Sequence, residues 1–77
     1  MMSTKKPQSY TKHHTDGSVW ARGHLLNGKP EGYFVWYRKD GTKLRSGNFR
    51  RGQQIGKWTT YDQQGNAYKV TLFKTKN

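Results

Sequence analysis

The chain has 77 residues and a formal net charge of +11, from 15 Lys and Arg against 4 Asp and Glu. Hydrophobic residues make up 30% and aromatic residues 14%, so a few rings must supply most of the buried area of one small domain. The absence of cysteine excludes disulfides and thiolate zinc sites. No apolar run approaches the roughly 20 residues of a membrane-spanning helix, the start MMSTKKPQ lacks the apolar stretch of a secretory signal, and a cytoplasmic protein is expected.

Residues 1–7 are polar and basic and are expected to form a flexible extension, leaving residues 8–77 as one β-repeat domain. From there every segment has the composition of a strand. Tyr10 to His13 forms the first, and Asp16-Gly17 turns the chain. Ser18 to Leu26 follows, then an Asn27-Gly28 turn and a strand from Gly32 to Arg38. The plan repeats: Asp40-Gly41, a strand from Thr42 to Arg50, Gly52, and a strand from Gly56 to Asp62. Gln64-Gly65 then opens a last strand from Asn66 to Lys74. Asp-Gly and Asn-Gly between runs rich in Val, Trp, Tyr, Phe and Thr predict tight primed hairpin turns. No segment carries a sustained 3.6-residue period, so helix is not expected.

The turns recur at a fixed interval. Asp16-Gly17, Asp40-Gly41 and Gln64-Gly65 stand 24 residues apart, and Gly23 aligns with Gly47, Leu25 with Phe49 and Phe73, Phe34 with Trp58, and Tyr37 with Tyr61. Tyr10 and His13 continue the register 24 residues before Phe34 and Tyr37, as half a repeat. The expected fold is all-β, a single antiparallel meander of five to six strands built from about two and a half 24-residue hairpin repeats. Gly23 and Gly47 fall inside strands at one repeat position, which predicts space left for an aromatic side chain of the adjacent hairpin.

The run from Asp40-Gly41 through Leu44, Gly47, Phe49, Gly52, Gly56, Trp58 and Tyr61 to Gly65 resembles the MORN-repeat variant found in YwqK-like antitoxin proteins. Gly23, Leu25, Gly28, Gly32, Phe34 and Tyr37 match more loosely. The resemblance implies stacked β-hairpins and a function in binding: scaffolding, lipid association or neutralising a partner toxin. One departure is local. Leu44 stands three residues past Gly41, where the family usually places its apolar residue two past.

Catalysis is not expected. Asp16 and Asp40 occupy turn positions, Asp62 precedes a turn and Glu31 stands alone, so no carboxylate pair remains to divide acid and base roles. The neighbours His13 and His14 should point to opposite faces of a strand, and with His24 they read as surface or stacking groups rather than a metal site. No cofactor is expected, because the glycines match no phosphate-binding loop.

The charge points to a polyanionic partner: nucleic acid first, then an acidic protein surface, then an anionic membrane. Lys43, Arg45, Arg50, Arg51, Lys57 and Lys69 are the candidate phosphate contacts. Alternation places Lys43 and Arg45 on one face, and the repeat sets Arg45 level with Lys69. Trp36 and Tyr33 do not recur, so the repeat does not need them, and they are candidate stacking platforms for bases. Unpaired sheet edges also make a homodimer possible.

Overall fold

The computed structural model describes residues 6–74. The expected extension therefore falls largely outside the described residues; Lys6 and Pro7 are exposed coil. The chain forms β1 (Gln8–His13), β2 (Val19–Leu26), β3 (Lys29–Pro30), β4 (Gly32–Tyr37), β5 (Lys43–Arg50), β6 (Gln53–Tyr61) and β7 (Ala67–Phe73). All pairings are antiparallel in one open sheet ordered β1-β2-β4-β5-β6-β7, with β3 paired to β2. The sheet measures 48 × 32 × 14 Å, a single layer.

The meander is as expected, with two extensions. Gln53–Ile55 belong to β6, and Lys29–Pro30 form β3, although both runs lie between glycines and read as loop in the sequence. They are equivalent segments 24 residues apart. The arm breaks into β3 and β4 at Glu31, whereas its copy in β6 stays continuous.

The turns divide into two types. Asn27-Gly28 and Arg51-Gly52 are two-residue loops with both residues at positive φ (54 and 79°, 52 and 84°), the primed geometry expected. The two Asp-Gly turns and their Gln64-Gly65 equivalent are different. Gly17, Gly41 and Gly65 each donate their N–H to the carbonyl three residues back, on His14, Arg38 and Asp62, at 2.9–3.0 Å. Only the glycine has positive φ. These are three-residue loops closed by a glycine bulge, and the aspartate serves as a cap: the Asp16 and Asp40 carboxylates accept from the backbone and hydroxyl of Ser18 and Thr42.

The repeats are also joined sideways. The His14 ring donates from Nε2 to the Tyr37 carbonyl (3.0 Å), and 24 residues on, the Arg38 guanidinium donates to the Tyr61 carbonyl (2.6 Å) and the Lys43 carbonyl (2.8 Å). His14 and Arg38 thus have equivalent structural roles, one in each of these two contacts.

A single sheet has no second layer to cover its rings, so they cover one another. Tyr10, Phe34, Phe49, Trp58 and Phe73 run across one face with successive ring centroids 5.0–6.2 Å apart. The rings lie flat over glycines. A Cβ on Gly23 would stand 2.5 Å from the Phe34 ring, and one on Gly47 would overlap the Trp58 ring. The sequence reading of these glycines holds with one change: each ring comes from the other arm of the same hairpin. Phe34 and Trp58 are thereby only 3% and 4% exposed.

Candidate functional site: a basic and aromatic band

Strand register places Lys12, Ala21, Trp36, Arg45, Thr60 and Lys69 in one row across the ring face. With strands roughly 4.8 Å apart, the row spans about 24 Å. Arg45 is level with Lys69, as the repeat predicts. The register also shifts by one residue at each equivalent point of the sheet. Trp20 with Ala21 opposes Lys12, Leu44 with Arg45 opposes Trp36, and Tyr68 with Lys69 opposes Thr60. These are β-bulges at one repeat position, and two of the three carry exposed rings, Trp20 and Tyr68.

The result is a band in which cations and rings alternate. The Lys12 ammonium sits 5.5 Å from the Trp20 ring, and the Arg45 guanidinium lies 5.0 Å from Trp36 and 5.6 Å from Trp58. Ring quadrupoles attract such cations by about 0.5–1 kcal/mol at exposed sites. Lys12 and Arg45 are therefore each held above the sheet in a defined place.

The bulge at Leu44 corrects one expectation. Lys43 pairs with Tyr37 and Arg45 with Trp36, so they point to opposite faces, and the Lys43 ammonium lies 5.7 Å from the Tyr61 ring. The predicted cluster is split, Lys43 by the bulge and Lys57 and Tyr33 by alternation with Trp58 and Phe34. Arg45, Lys69 and Trp36 share the band. Lys43, Lys57 and Tyr33 lie on the other face, where Tyr33 is 51% exposed beside a shallow hollow shared with Arg22 and His24. Arg50 also turns away from the ring face, and Arg51 stands in the Arg51-Gly52 turn, its N–H donating to Glu31 (2.8 Å). Trp36 is a half-buried part of the ring ladder, 5.4 Å from Trp58, with one side covered by Arg45. Sequence reasoning missed Lys12, Trp20 and Tyr68. The signal was present, since Trp20, Leu44 and Tyr68 stand 24 residues apart.

Carboxylates are absent from the strands. Lys12, Arg22, Lys29, Lys43, Arg45, Arg50, Lys57 and Lys69 all lie in strands, whereas Asp16, Asp40, Asp62 and Glu31 all lie in turns or links. The hydroxyl and then the backbone N–H of Ser18 hold the Asp16 carboxyl below the ordinary value of 3.8, and those of Thr42 do the same for Asp40. Asp62 accepts from the Gln64 and Asn66 amides. Every acid thus serves the chain's own backbone, and both sheet faces remain uniformly positive.

No family model, curated protein or solved structure matches this chain. No helix among the described residues is long and apolar enough to cross a membrane.

Proposed function

We propose that this is a non-enzymatic, MORN-like module of the cytoplasm that binds single-stranded nucleic acid with little sequence preference. The observation that carries the reading is the band: Lys12, Arg45 and Lys69 in one row, with Trp20, Trp36 and Tyr68 beside them, on a face without carboxylates. Phosphates would meet the cations. The exposed rings Trp20 and Tyr68 would stack on bases, and the remaining cations would add longer-range attraction.

A flat face of this kind reads charge and ring surface, not base edges. Binding should therefore depend on salt more than on sequence. Three phosphate contacts to a single strand give a slope of log affinity against log salt of about −2, which is about a 20-fold loss between 50 and 200 mM. Gel shift and fluorescence anisotropy with labelled homopolymers, on nuclease-treated protein, test this. No retarded nucleic acid at low salt would end the proposal.

The same charge would also draw an acidic protein surface. Capture of one stoichiometric protein that survives nuclease and moderate salt would favour that second reading.

A further inference from the structure

The strand β7 is equivalent to β2 and β5, each of which is flanked on both sides, yet the outer edge of β7 is open. It is the more apolar of the two sheet edges. Val70 is 51% and Leu72 75% exposed, and both project from the face opposite the rings, beside Thr59 and Lys57. The other edge, β1, presents Gln8, Ser9, Thr11 and Lys12. From Lys69 to Phe73 the β7 ladder is regular, with no proline, no bulge and no charge after Lys69, so nothing there prevents further pairing.

The repeat itself suggests a head-to-tail continuation, because β1 is the equivalent of β4 and could follow β7 of another copy. Two side chains oppose it. Carrying over the register of β2 with β4 turns Ala21 facing Trp36 into Lys69 facing Lys12, and Arg22 facing Val35 into Val70 facing Thr11. It also lays the Tyr10 ring over Thr71, the position occupied by Gly23 and Gly47 in the inner strands, where a Cβ meets a ring. Like charges opposed on one row and a filled ring cradle both disfavour this contact.

The geometry points to a symmetric dimer of this chain through antiparallel pairing of β7 with β7, centred on Thr71. Lys69 then faces Phe73 of the second copy, Val70 faces Leu72, and Thr71 faces Thr71 across the two-fold axis. The contact is self-complementary, as a two-fold interface requires. It joins the exposed Val70 and Leu72 of both copies into one apolar cluster and opposes no two cations. Because antiparallel neighbours in a sheet share their faces, both bands lie on the same side of the dimer.

Sedimentation equilibrium of the nuclease-treated full chain over a range of concentrations tests this. The expected result is twice the chain mass, falling to the single-chain mass for Leu72→Lys, while Gln8→Lys on the opposite edge stays dimeric. Circular dichroism that matches the wild type separates dissociation from unfolding. As a second readout, oxidised Thr71→Cys should form a covalent dimer and oxidised Thr11→Cys should not, since the chain has no other cysteine. A monomer at all concentrations, an open-ended series of oligomers, or dissociation by Gln8→Lys but not by Leu72→Lys would overturn the inference.

Discussion

Replacing Gly47 by alanine should cost far more than one methyl group suggests. In an ordinary strand the change would be neutral or stabilising by about 0.4–1 kcal/mol, because alanine restricts the unfolded chain. Here the new Cβ falls on the Trp58 ring, which is 4% exposed and donates from Nε1 to the Asn48 carbonyl (3.1 Å). The ring cannot slide aside freely, since Phe49 and Trp36 stand 5.0 and 5.4 Å away. Lifting it half out of its site exposes about 100 Å² of ring, worth roughly 2.5 kcal/mol. Loss of the indole hydrogen bond adds about 1 kcal/mol. A total near 3 kcal/mol lowers Tm by roughly 12–24 °C in a domain of this size. Thermal and urea unfolding followed by circular dichroism measures it. In the Trp58→Ala background the same substitution should cost little, because the clash is gone. The reasoning is refuted if Gly47→Ala lies within about 1 kcal/mol of wild type, or if its cost persists without the Trp58 ring.

Arg51 stands at φ 52° where the equivalent residue of the preceding repeat is Asn27. Arg51→Asn should therefore stabilise the protein by about 0.5–1 kcal/mol in urea unfolding, because asparagine tolerates the left-handed region better than arginine. The Asp16 and Asp40 carboxyls have folded values below 3.8, so their caps contribute fully above that pH and are lost as pH falls through the folded values. Stability should hold from neutral pH down to about 5 and decline below about 4, and Asp40→Asn should flatten the decline. For the band, Arg45→Gln should reduce the salt slope of oligonucleotide binding by about 0.7, the share of one phosphate contact to a single strand.

Much of the sheet was legible because a tandem repeat records register as well as strand content. That a ring lies over Gly23 and over Gly47 could be read from two glycines that recur inside strands, but not that each ring comes from the other arm of the same hairpin. The facing of Lys43 could not. Alternation by two assumes an unbroken pleat, and the bulge at Leu44 inserts one residue; its trace was the extra spacing from Gly41 to Leu44, repeated from Gly17 to Trp20 and from Gly65 to Tyr68. The run from Gln53 to Ile55 was hidden for a related reason, since Gly52 and Gly56 look like loop ends when one closes a turn and the other sits within a strand at positive φ. Trp36 shows the limit of treating whatever does not recur as free: a non-recurring ring can still fill space between recurring ones. Partnership between distant positions, such as Arg38 with the Tyr61 carbonyl, needed coordinates.

The central claim is that one face binds, and not merely that the protein is basic. Two variants separate these: Lys12, Arg45 and Lys69 changed together to glutamine on the ring face, and Arg22, Lys43 and Lys57 changed likewise on the other. Both remove the same charge. Anisotropy titration of a labelled single-stranded homopolymer at fixed salt should show the first variant losing about tenfold or more in affinity and the second losing only the smaller share due to net charge. Equal losses in the two variants, or a greater loss in the second, would contradict the assignment of the site to the band.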